Sequence, residues 1–163
     1  MIDRFGPVLF ILGILIAGFG GLMLLPLSIA WLNADGAQSA YDEAVVITVC
    51  TGVLLALSMR RRQREMRVRE SFLLVALIWS LLPAFGALPL YLHISGLSWT
   101  DAYFEAVSGL TATGATVLSG LDDLPLSINF WRTFMHWVGG LGVVVLAVAI
   151  LPLLGFGGRS MFK

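Results

Sequence analysis

The stretch DAYFEAVSGLTATGAT, residues Asp101 to Thr116, decides how the rest of the chain is read. It lies between two long apolar runs, which puts it at or in a membrane. Asp101 to Leu110 suit a short helix of about three turns. Thr111 to Thr116 do not continue it, because Thr, Ala and Gly alternate there and Gly114 permits backbone angles that other residues resist. Ser98, Thr100 and Asp101 are candidates for the N-cap. Trp99, Tyr103 and Phe104 would anchor the helix among its neighbours or at the interface. Irregular backbone survives at membrane depth only where protein buries it or it lines a water-filled path. Its natural use is to aim carbonyl oxygens at a cation. The segment is therefore expected to be a re-entrant pore helix followed by one filter strand. The backbone oxygens of Thr111, Ala112, Thr113 and Gly114 are the candidates to replace the hydration shell of K+. The C-terminal end of the helix, near Ser108 to Leu110, carries partial negative charge and favours a cation beneath the filter. Composition alone leaves a simple loop equally open.

The composition agrees with the membrane setting. The chain has 163 residues, 58% hydrophobic and only 12% charged, with mean hydropathy +0.92. A soluble domain is about 25% charged. A formal net charge of zero gives no pointer to nucleic acid, and none is expected as a partner. The single cysteine, Cys50, falls in an apolar run and is expected as a plain buried thiol. Pro7 to Leu32 are too long for the apolar region of a signal peptide and lack an obvious cleavage site, so they are expected to be a retained span.

Four apolar runs are expected to form four transmembrane helices. The first, Pro7 to Leu32, can cross a core of about 30 Å with some tilt. Its Gly13, Gly18, Gly20 and Gly21 offer close helix contact, Pro26 should kink it, and Trp31 suits the interface. An acidic loop, Asn33 to Glu43, precedes the second run, Ala44 to Met59, which spans if it starts within that loop. Arg60 to Glu70, RRRQREMRVRE, hold six arginines and two glutamates. Positive residues beside a span stay cytoplasmic, where they are also suited to anionic membrane lipid. The third run, Ser71 to His93, contains Pro83 and Pro89 and should bend. The fourth is Leu126 to Phe156, followed by Arg159 and Lys163. With Arg60 to Arg69 inside, both chain termini are cytoplasmic. Ile94 to Pro125 then lie outside or dip back in. Residues 1–70 read as an N-terminal hairpin and 71–163 as a helix, pore helix, filter, helix unit.

Three further features bear on function. Arg132 lies near the outer end of the fourth run, where an unpaired charge is expensive. It is expected either to pair with Asp101, Glu105, Asp122 or Asp123, bracing the pore helix, or to snorkel to the headgroups. His136, four residues on and on the same helical face, is expected to make a structural hydrogen bond. Gly139, Gly140 and Gly142 give a small-residue face for close packing, with a gating hinge as the alternative. There is no phosphate loop, no Cys/His zinc pattern and no nucleophile with a credible base. Neither an enzyme nor an organic cofactor is expected.

SGLTATGAT followed by FWRTFMHWVGGLGVVVLAVAILP resembles the first pore unit of the Trk/Ktr/HKT potassium-uptake superfamily. The two helices ahead of that unit make the chain similar to the TrkH branch, and the resemblance covers essentially the whole chain. It implies an all-α membrane fold in which four unequal pore units surround one K+ path, with K+ the transported ion. It places the filter glycine at Gly114 and the filter carbonyls at Thr111 to Gly114. In plant relatives, glycine rather than serine at the first filter position goes with potassium permeation. The resemblance further implies a bacterial inner-membrane location, a cytosolic nucleotide-binding regulatory subunit, and a dimer of complete transporters. The sequence stops at Lys163 after one such unit, without the later units, gating segment or basic pore residue. An N-terminal fragment that does not conduct alone is expected. The alternatives are a short chain that assembles with others, or a non-conducting membrane interaction or assembly protein.

Overall fold

The computed structural model describes residues 5–61 and 66–150, with side chains to 145. Arg62, Arg64 and Glu65 of the arginine-rich loop, and the stretch from Leu151 to Lys163, lie outside the described residues. The described part is all helical: α1 (Gly6–Leu22), α2 (Leu24–Asn33), α3 (Gln38–Met59), α4 (Val68–Gly86), α5 (Leu88–His93), α6 (Trp99–Leu110) and α7 (Leu126–Ile150), with one 3-10 turn at Leu121–Asp123. Among the described residues, three helical stretches are long and apolar enough to cross a membrane: Gly6–Asn33, Gln38–Met59 and Val68–His93.

Proline sets the breaks in the first and third of these. Pro26 has no N–H for the carbonyl of Leu22, and its ring would collide with that carbonyl. The interruption accordingly falls at Met23, one turn before the proline, where the Met23 N–H turns back to Gly20 at 3.2 Å. Pro89 likewise offers no N–H to Phe85, and the helix breaks at Ala87 between α4 and α5. The Trp131 indole N–H donates to the Gly86 carbonyl beside that break at 2.9 Å. The second span starts at Gln38 rather than Ala44, because Ala40, Tyr41 and Ala44 are all buried against neighbouring helices.

α1 and α3 cross backbone to backbone. A Cβ on Gly13 would lie 2.6 Å from the Ala56 nitrogen, and one on Gly52 would lie 2.6 Å from the Gly13 oxygen. Gly20 also meets α3, but Gly18 and Gly21 face open space. Cys50, on α3, is exposed. The expectation of a buried thiol was wrong because an apolar run in a membrane need not face protein.

The core ties this hairpin to the remaining helices. Phe19 and Met23 pack with Leu90, Ala102, Ala106, Trp131 and Met135, all buried. Phe19 and Trp131 sit with ring centroids 5.4 Å apart. α6 is thus held between α4 and α7, with α1 and α2 behind, and the segment after it inherits a fixed starting point.

Candidate functional site

α6 begins at Trp99 because Ser98 caps it. The Ser98 hydroxyl accepts the Asp101 N–H at 3.1 Å and donates to the Asp101 carboxylate at 2.7 Å. Of the three cap candidates, Ser98 takes the position and Asp101 supports it from the first turn. The helix ends at Leu110. The N–H groups of Thr111, Ala112 and Thr113 fold back onto the carbonyls of Val107, Gly109 and Ser108, each at 2.9 Å. Ala112 (φ 53°) and Gly114 (φ 76°) then take left-handed backbone. A Cβ on Gly114 would touch nothing within 4 Å, so the glycine answers a conformational need and not a lack of room. Ala112 accepts the same region at a cost of roughly 1–2 kcal/mol. Strain of this kind persists only where surrounding contacts over-determine it.

Those contacts come from behind. Thr111 to Val117 are exposed on one side, without regular secondary structure, while the other side is stitched to α6 and α7. Glu105, 3% exposed, is the centre of the stitch. Its Oε1 accepts the Thr116 hydroxyl at 2.5 Å and the Val117 N–H at 2.7 Å, with the Leu118 N–H at 3.4 Å. Its Oε2 accepts both Nε and Nη2 of Arg132, at 3.2 and 3.0 Å. Arg132 also donates to the Thr116 hydroxyl at 3.2 Å. Among the four acids in reach by sequence, Arg132 therefore takes Glu105. Asp101 is engaged at the cap, and Asp122 and Asp123 sit in the 3-10 turn. His136 Nδ1 lies 2.8 Å from the Arg132 carbonyl, within its own helix. Among the described residues no cluster of His, Cys, Asp and Glu could hold a metal ion.

Close packing fixes the depth of α6 against α7. A Cβ on Gly139 would lie 2.5 Å from the Leu110 carbonyl carbon, at the very end of α6. Gly140 and Gly142 meet nothing within 4 Å, so only one of the three glycines serves that contact.

Two features were not anticipated from the sequence. Ser108, 4% exposed, donates its hydroxyl to the Ala115 carbonyl at 2.6 Å. Its place three residues after Glu105, on the same face of α6, was the available signal. The second is a clamp on the start of α7. Asp35 accepts the Ser127 N–H at 2.9 Å and the Ala37 N–H at 3.2 Å, and the buried Tyr41 hydroxyl donates to the Ser127 carbonyl at 2.9 Å. Burial alone would raise the Asp35 pKa. The N–H groups of Ser127 and Ala37, with the nearby His93, outweigh it and hold the carboxyl below its ordinary value.

This architecture matches known proteins closely. A family model described as TrkH, cation transport protein, matches residues 37–163. The chain belongs to the TrkH family. The family is one of transporters, not enzymes, and its members are multi-pass membrane proteins. The Trk system potassium uptake protein TrkH of Halomonas elongata is 50% identical over 157 residues, covering 96% of this chain and 33% of that protein. TrkH of Escherichia coli K12 is 42% identical over 161 residues, covering 98% of this chain and 33% of its own length. The crystal structure of the potassium transporter TrkH from Vibrio parahaemolyticus superposes with a TM-score of 0.87 at 42% identity, over 99% of this chain and 34% of that one. The chain thus spans about a third of the length of these TrkH relatives.

Proposed function

We propose that this chain supplies the first of the pore units that together conduct K+ across the bacterial inner membrane. The observation that carries the reading is the exposed, left-handed backbone at Ala112 and Gly114 hung from the C-terminal end of α6. The carbonyls of Thr111, Ala112, Thr113 and Gly114 form one wall of a filter and stand in for water around the ion. The helix end beneath them adds partial negative charge. Glu105 and Arg132 support the wall from behind, and Asp101 supports the far end of α6. Ions move down the membrane potential, which contributes about 2.3 kcal/mol per charge per 100 mV.

In this reading α6 is a re-entrant pore helix and α7 the fourth transmembrane helix. Residues 1–70 form a hairpin and 71–163 the pore unit. The arginine-rich loop and both termini of the chain face the cytoplasm. One wall cannot enclose an ion, so the chain does not conduct alone and needs further units of the same kind. A cytosolic nucleotide-binding regulatory subunit and a dimer of complete transporters are the partners.

The test uses a chimera in which this chain replaces the matching third of the Vibrio parahaemolyticus transporter. Uptake of ⁸⁶Rb+ is measured with Na+ as competitor, for the chimera and its Gly114→Ser variant. Loss of K+-type preference in the variant is expected. An unchanged preference, at equal protein level, would remove Gly114 from the filter.

A further inference from the structure

Glu105 and Ser108 lie one turn apart on α6 and divide the following segment between them. Glu105 holds Thr116, Val117 and Leu118, while the Ser108 hydroxyl holds a single group, the Ala115 carbonyl, at 2.6 Å. The Ser108 carbonyl meanwhile accepts the Thr113 N–H at 2.9 Å, so the same residue grips the chain on both sides of Gly114. A peptide group can present its oxygen to only one side. With its oxygen on the Ser108 hydroxyl, the Ala115 carbonyl points onto α6.

We propose that Ser108 is a positioning residue that sets ion specificity. By drawing the Ala115 carbonyl back onto α6, it ends the row of ion-facing oxygens at Gly114. This rests on the filter reading above. The number and field strength of coordinating carbonyls are what separate K+ from Na+ in such sites. A fifth oxygen free to swing into the row adds an adaptable ligand, and a smaller ion gains more from an adaptable ligand than K+ does. Glu105 cannot substitute for Ser108, because a carboxylate accepts hydrogen bonds and offers no donor to a carbonyl.

The experiment compares Ser108→Ala, Ser108→Cys and Ser108→Thr with Gly114→Ser in the chimera, reading Na+ competition against ⁸⁶Rb+ uptake alongside maximal uptake. Ser108→Ala is expected to lower K+ over Na+ discrimination about five-fold, the equivalent of one neutral hydrogen bond, with maximal uptake largely kept. Ser108→Thr retains a hydroxyl and should keep the discrimination, whereas a packing role would suffer more from its added methyl group. Should Ser108→Ala fail to reach the membrane, the nearly isosteric Ser108→Cys decides. As a weak donor it should lose part of the discrimination, and full discrimination in it would overturn the proposal. Unchanged discrimination in Ser108→Ala, with Gly114→Ser impaired, would overturn the role of Ser108 and leave the filter reading standing. Unchanged discrimination in Gly114→Ser would overturn both.

Discussion

Removing the Glu105 carboxylate should undo the wall from behind. Glu105 accepts from the Thr116 hydroxyl, the Val117 and Leu118 N–H groups and two nitrogens of Arg132. The ion pair is nearly dry, with side chains 2% and 15% exposed for Glu105 and Arg132. Breaking a buried pair by deleting one partner costs about 3–5 kcal/mol, most of it from the charge left behind. Glu105→Ala should fall in that range in the chimera, measured by equilibrium unfolding in mixed micelles. Glu105→Gln keeps one acceptor oxygen but sets an NH2 donor against donors already there and leaves the Arg132 charge uncompensated, so it should cost at least about 1–3 kcal/mol. Arg132→Met removes the stranded cation, so the double variant Glu105→Ala/Arg132→Met should be more stable than the sum of the two single changes implies. The expected coupling is at least about 1.5 kcal/mol. Additive single changes, or a Glu105→Ala protein as stable as the parent, would refute the assignment of Glu105 as the hub.

Four further outcomes follow from the geometry. Gly139→Ala drives a methyl into the Leu110 carbonyl and should destabilise the chimera by about 1–3 kcal/mol or more. Gly140→Ala, which meets nothing within 4 Å inside α7, should not destabilise the protein and should gain up to about 1 kcal/mol from helix propensity. Tyr41→Phe leaves the Ser127 carbonyl without its hydroxyl partner and should cost about 0.5–1.5 kcal/mol by the same unfolding assay. Because the Asp35 carboxyl is held below its ordinary value of 3.8, its clamp on Ser127 is fully present above that pH. It should be lost as pH falls from there through the lowered folded value. Asp35→Asn should flatten that part of the stability profile, and an identical acid limb in both proteins would count against the clamp.

What the sequence made legible was mostly local. Apolar runs and prolines placed the spans and their breaks, and the Thr/Gly segment after Leu110 stood out because no helix or strand pattern accommodates it. The left-handed turn at Gly114 follows from glycine itself, but the one at Ala112 does not, since nothing in an alanine announces positive φ. The choice of Glu105 among four acids for Arg132 depends on the register between α6 and α7, which the Gly139 contact sets across nearly thirty residues of chain. The clamp from Asp35 and Tyr41 onto Ser127 bridges 92 and 86 residues and joins the hairpin to the pore unit. No spacing rule reaches that far. Cys50 was misplaced for a related reason: hydropathy separates membrane from water but not lipid from protein.

Crystals of the chimera soaked in Tl+ would show directly which oxygens hold the cation. Anomalous density should lie within coordination distance of the carbonyls of Thr111, Ala112, Thr113 and Gly114, with the Ala115 oxygen turned away onto Ser108. Density confined elsewhere on the permeation path, with these four carbonyls facing protein or solvent, would contradict the filter.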